Sequence, residues 1–390
     1  MNQPKPLNQS QRTAIVDILR GWALIGVVLM NYLDFRNPQQ SSGTLINALN
    51  AFSFTVFSPS KVWALFSVLF GYGFGLIFEK IRLSNQNPDL FFLKRMAVLF
   101  LFGVFNTVFF YGDILHDYAL LGCLLLLFRK IKARTLFYII ICLLIAASFI
   151  NAYVNTHWIV SYKKETEIFW NSYMGKNLPA IIKANFIYCY VMEIKAIGYI
   201  INVHLQMFTM MLLGLALMKS NFFTKVIYDK VQFKKIVRLS FTTLILVMAF
   251  HFAVTGLNGT IVFRYFDDFY LVATVSMMCI VLLICWLSIL GKAKGFFGLL
   301  QVAGSMTLTN YIVQNILMLI LFSGAGFALG YKKNELLYYG LALAVFVAQV
   351  WFSKWWLRRY NFGPLEWLWR CLTYGTKYPL KKAVVDKPGI

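Results

Sequence analysis

Ten stretches of this chain are long and apolar enough to lie in hydrocarbon, and that one feature leaves few folds open. A segment in lipid finds no water for its N–H and C=O groups, so only helices and closed barrels cross a bilayer. Barrel strands are short and alternate in polarity. The runs here, near 13–34, 53–78, 96–111, 115–128, 135–152, 196–218, 239–257, 268–290, 302–325 and 335–353, are unbroken and approach the ~20 residues of a helical span. The third and fourth are short and joined by a tight turn, as in a hairpin or re-entrant pair. Of 390 residues 59% are apolar and 13% charged, against about 45–50% and about 25% in soluble chains. A disordered chain, a soluble repeat protein and a soluble enzyme are thereby excluded. The reading is all-α: a polytopic helical membrane protein of about ten spans.

The net charge of +22 suggests nucleic acid only until the charges are placed. With the N-terminus cytoplasmic, 26 of the 37 Lys and Arg fall in inside segments and nine in outside ones, five of those nine in the long stretch 153–195. That is the positive-inside pattern, so both termini are expected in the cytoplasm and no nucleic-acid partner is. Membrane lipid is the expected partner, and the C-terminal KKAVVDK suits an anionic lipid surface. The polar start MNQPKPLNQSQR leads into apolar sequence without a small-residue cleavage site, so no cleaved signal peptide is expected. Six cysteines and four histidines are scattered without ligand spacing, which indicates neither a disulfide framework nor a metal site. The chain divides into 1–152, an extracytoplasmic stretch 153–195 with amphipathic helical character, and 196–390.

Ionisable residues inside a span are costly and mark candidate function. Asp17 and Arg20, three apart, share a helical face that Asn31 rejoins within about 40°. They form either a site or a structural ion pair near the boundary. Lys61 either snorkels or borders a cavity next to Gly71, Gly73 and Gly75. The GxxxG of Gly71 and Gly75 reads as a helix-packing seam. In YGDILHDYALLG, Asp113 and His116 stand at i, i+3, where a carboxylate can set the tautomer of an imidazole acting as general base. A solvated polar turn, with Asp117 beside it, is the alternative. Thr307, Asn310 and Gln314 make a neutral stripe that either glues helices or lines a substrate cavity. Glu366 and Arg370 fall on a short Trp-rich helix expected at the interface.

These motifs resemble the YeiB family of bacterial inner-membrane proteins along essentially the full chain. Asp17, Arg20-Gly21, Ala23-Leu24 and Asn31 match its first helix, and Lys61 with Leu65-Phe66-Ser67-Val68-Leu69-Phe70-Gly71 its second motif. Arg95 with Gly112-Asp113-Ile114-Leu115 and Tyr118-Ala119 matches the third. Gly304 to Tyr311 with Gln314, and Gly363-Pro364-Leu365-Glu366-Trp367 with Arg370, are similar to its C-terminal domain of unknown function 418. The first helix is also similar to that of the heparan-α-glucosaminide N-acetyltransferases, which implies a multipass acyltransferase using cytoplasmic acyl-CoA, with no covalently bound cofactor, on an envelope glycan or lipid acceptor. The resemblance departs at two places: the loop after the first helix has no histidine, and Asn106 stands where YeiB-like chains often carry one. His116 is then the expected base with Asp113, and Asn31 and Lys61 orient or stabilise charge. Arg20, paired with Asp17, meets the CoA phosphates. The alternative reading is a transporter of a small, perhaps anionic, solute; a homodimer is compatible with either.

Overall fold

The computed structural model describes residues 14–36, 43–84, 86–158, 162–256, 265–332 and 334–382. The chain's first residues and the KKAVVDK tail from residue 383 lie outside them. The described chain is helical; its one β feature is an isolated bridge between Tyr360 and Lys381. Among the described residues eight helices are long and apolar enough to cross a membrane, and a bent pair makes a ninth candidate.

The first helix, α1 (Ala14–Leu33), is buried along most of its length, so even its Asp17 lies out of water. After it come α2 (Thr44–Phe57) and α3 (Pro59–Arg82), joined through Ser58, whose extended backbone precedes a proline at the first position of α3. The third apolar run is longer than its hydropathy shows. Asn87 accepts from the N–H groups of Asp89 and Leu90, so α4 (Pro88–Thr107) starts eight residues before the expected 96 and reaches full span length. The fourth, α5 (Leu115–Phe128), has 14 residues, or about 21 Å of axis against a hydrocarbon core of about 30 Å. Then follow α6 (Ala133–His157), α7 (Lys163–Tyr173) and α8 (Leu178–Tyr190) with a π turn over Val191–Lys195, α9 (Ile197–Lys219) and α10 (Lys230–Gly256).

The C-terminal region holds α11 (Phe269–Ile289), α12 (Lys294–Gly304), α13 (Thr307–Phe322), α14 (Glu335–Arg359) and α15 (Pro364–Tyr374). The run expected to be one span over 302–325 is broken: α12 and α13 meet at 82°. A cause lies in the packing. A Cβ on Gly304 would stand 1.9 Å from the Asp17 carbonyl oxygen, and one on Gly21 2.1 Å from that of Leu300. The backbones of α1 and α12 therefore touch, as only glycine permits. A second such crossing joins α3 and α9: a Cβ on Gly71 would lie 1.9 Å from Met211 O, and one on Gly214 1.9 Å from Val68 O. Gly75 packs on Met218 one turn on, so the GxxxG is a packing seam. Leu19, Leu24, Leu69, Met210 and Met211 form the solvent-free centre around these crossings. By contrast α10 is peripheral: Leu239, Ile245 and Leu246 lie open on its surface, as lipid-facing residues do.

Candidate functional site

The α1–α12 crossing sets Asp17 and Arg20 into the wall of a cavity of about 240 Å³. Arg20 Nη1 donates to Asp17 Oδ1 at 2.8 Å, so the face-sharing pair is an ion pair, and both residues line the cavity. Arg95 of α4 and Arg370 of α15 reach the same cavity. Their planes are held by rings, Arg95 3.6 Å over Trp369 and Arg370 4.4 Å over Phe362, an orientation that keeps a guanidinium flat and edge-on to a ligand. The rest of the lining is mostly apolar, with Phe66, Phe70, Leu99 and Leu115 among it. Drug-sized ligands occupy about 300–1,000 Å³. This volume falls below that range and suits a slender apolar chain.

At another wall the cavity meets the second group of charges. Ile114, Leu115, Tyr118 and Tyr311 line it, and Tyr311 stands in contact with Asp113. Asp113 is buried; its Oδ1 accepts from Asn106 Nδ2 at 2.7 Å, and its Oδ2 from Leu115 N at 3.0 Å and His116 Nδ1 at 3.1 Å. With Asp113 ionised, a neutral His116 carries its proton on Nδ1 and its lone pair on Nε2. Burial pushes the Asp113 carboxyl up, and His116 and Asn106 pull it back. The pair sits where it does because residue 103 is glycine: a Cβ there would lie 2.6 Å from His116 N and 2.9 Å from Asp113 Oδ2.

Beyond His116 the cluster continues into residues the sequence reading left unassigned. Asp117 Oδ1 lies 3.3 Å from His116 Nε2 and 3.3 Å from His204 Nε2, and Glu193 Oε2 is 3.2 Å from His204 Nε2. Burial raises the Glu193 carboxyl above its ordinary range, with His204 opposing. His204 lies inside an apolar run, and the costliness of ionisable groups in spans is the signal that could have singled it out.

The other expected site residues lie apart from this cavity. Of the neutral stripe, Thr307 lines it; Asn310 and Gln314 do not. Asn310 Nδ2 donates to Ala303 O at 3.0 Å and Ser353 Oγ at 3.1 Å, Gln314 Nε2 to Gln349 Oε1 at 2.8 Å, and Gln349 Nε2 to Asn310 O at 2.8 Å. Those amides tie α13 to α12 and α14, so their substrate-cavity assignment gives way to interhelical glue. The Lys61 ammonium donates to the Thr55 carbonyl, satisfying the last turn of α2. Asn31 is half-buried and outside the cavity wall. Glu366 lines the cavity but faces α13: Oε1 accepts from Leu308 N at 2.7 Å and Thr309 N at 3.1 Å, and Oε2 from Thr309 Oγ1 at 2.6 Å. It caps the broken helix.

Long apolar helices around a buried charged interior define a multipass membrane protein. Residues 217–376 match the family described as "Protein of unknown function (DUF418)". Along nearly all its length the chain is related to bacterial proteins that include YxaH of Bacillus subtilis (strain 168), 25% identical over 98% of this chain and 99% of that one. It is likewise related to YeiB of Escherichia coli (strain K12), 25% identical over 93% and 96%. The uncharacterized 39.9 kDa protein in the amylase 3′ region of Bacillus acidopullulyticus is 28% identical over 96% and 97%. The resemblance read from the motifs is therefore found in the whole chain. No solved structure matches it.

Proposed function

We propose that this protein is an acyltransferase of the bacterial inner membrane that takes an acyl group from acyl-CoA and passes it to a glycan or lipid of the envelope. One observation carries the reading: a single cavity runs from three guanidiniums, Arg20, Arg95 and Arg370, to the wall formed by Ile114, Leu115 and Tyr311 against the Asp113–His116 pair. Guanidinium forks suit the CoA phosphates. The apolar middle suits the pantetheine and acyl chain. In this reading the carboxylate–imidazole pair behind the wall of Ile114, Leu115 and Tyr311 activates an acceptor hydroxyl or amine. In this reading the arginine end opens to the cytoplasm, in keeping with the Lys and Arg bias, and both termini lie there.

The test is binding of acetyl-CoA and longer acyl-CoAs to the detergent-purified chain by calorimetry. Saturable binding that is lost in Arg20→Ala, with slow thioester hydrolysis lost in His116→Ala, supports the enzyme. A folded protein that binds no acyl-CoA overturns it. The 82° break between α12 and α13 at the cavity wall favours a second reading, since broken helices line the sites of many transporters. Glu366 already occupies the N-terminus of that half-helix, however, which disfavours an anion there. Solute flux in proteoliposomes then decides it.

A further inference from the structure

His116 Nε2, His204 Nε2 and Glu193 Oε2 are buried and make no hydrogen bond, although each has an oppositely charged or polar neighbour at 3.2–3.3 Å. At that separation a shared proton would align donor and lone pair. Here the angles are poor for a hydrogen bond, so the two imidazoles and two carboxylates meet as ion pairs without an aligned shared proton. Ligand atoms of His116, Asp117 and Glu193 all lie within 4.8 Å of one another. His204 Nε2 adjoins both carboxylates. An ion with bonds of about 2.0–2.1 Å to tetrahedrally placed nitrogen and oxygen has ligand–ligand edges of about 3.3 Å. All three measured separations have that length.

Charge leads to the same place. Asp113, Asp117 and Glu193 converge here, and their ion-pair partners among the described residues are the two imidazoles alone. Three carboxylates brought together out of water are costly unless positive charge is added. Two protonated histidines would add it, but each would then carry an Nε2–H that finds no aligned acceptor. A divalent ion supplies the same charge and uses the bare nitrogens as donors.

We infer that His116 Nε2, Asp117, Glu193 and His204 Nε2 form a binding site for a divalent transition-metal ion. Mixed imidazole and carboxylate donors at these separations fit zinc best. Asp113 completes the site from behind: its 3.1 Å hydrogen bond to Nδ1 fixes the tautomer that presents Nε2, the usual arrangement around a metal-bound histidine. Four ligands come from three elements, α5, the π turn after α8, and α9, so no local spacing advertises them. The site does not depend on the acyl-transfer reading. Where both hold, His116 would serve as a ligand, and the ion would fix the imidazole in place.

The experiment uses the full chain, purified in detergent through an affinity handle without histidines and stripped with EDTA. It is then loaded with Zn²⁺ or Co²⁺ alone, and metal content is read by elemental mass spectrometry. The expected content is about one ion per chain, with visible absorption bands from the cobalt form. His116→Gln/His204→Gln lowers that content about tenfold or more, and Asp113→Asn weakens affinity about 10–100-fold. Should the double variant fail to fold, Glu193→Gln keeps the shape and must still weaken binding. The inference is overturned by a folded wild type that takes up neither ion, or by folded variants that keep the wild-type content and affinity.

Discussion

Glu366 and Glu193 are both carboxylates drawn out of water, and the helices treat them in opposite ways. Glu366 is saturated: three donors from the first turn of α13 close on its two oxygens. Glu193 leaves Oε2 without a hydrogen bond, facing His204. The same contrast separates the amide ladder of Asn310, Gln314 and Gln349, which is knitted across α13 and α14, from the imidazoles of His116 and His204. A buried polar group whose bonds are made holds the fold together. One whose bonds are withheld costs stability, and a chain keeps such groups where something else is to bind.

Substitution should separate the two kinds. Glu366→Ala strips the cap from α13 and leaves buried N–H groups without an acceptor, so a loss of about 3 kcal/mol is expected, read as a fall in thermal midpoint in detergent. Gly103→Ala drives a methyl into His116 and Asp113 and is expected to cost about 1–3 kcal/mol while also lowering zinc content, a joint effect that a purely structural glycine would not show. Arg95→Gln gives up the stack on Trp369 as well as a guanidinium of the cavity, and is expected to weaken acyl-CoA binding about tenfold, or ~1.4 kcal/mol, in calorimetry. The smallest effect has the opposite sign. In EDTA, Glu193→Gln removes one of three crowded carboxylates and is expected to raise the thermal midpoint slightly, by less than about 1 kcal/mol, whereas Glu366→Gln lowers it. Equal losses in both glutamine variants would erase the distinction.

The fold was legible because hydropathy reports the solvent directly: each apolar run became a helix or a helix pair, and the first helix kept Asp17 and Arg20 on one face. Local spacing also carried Asp113 to His116. What spacing could not carry was anything set by distant chain. The N-cap at Asn87 lengthened α4 upstream of its apolar run. The break after Gly304 depends on the backbone of α1 lying against it. Asn310 and Gln314 had the right chemistry for a cavity, but Ser353 and Gln349 on α14 took up their hydrogen bonds. Glu193 and His204 joined His116 only through the packing of α5 beside α9 and the π turn.

The contact of Gly21 with Leu300 and of Gly304 with Asp17 is main chain against main chain, with no side chain between to change rotamer. Such a joint transmits displacement without absorbing it, so α1 and α12 form the fixed jaw of the cavity. The opposite jaw is built differently. α15 brings Trp369 and Arg370 to the cavity with Glu366 and Thr373 as its buried residues, and side chains hold it to the bundle: the Glu366 clasp, the Arg95–Trp369 stack and Phe91 against Tyr374. A ligand too large for 240 Å³ would have to displace side chains of that jaw, because the other offers only backbone.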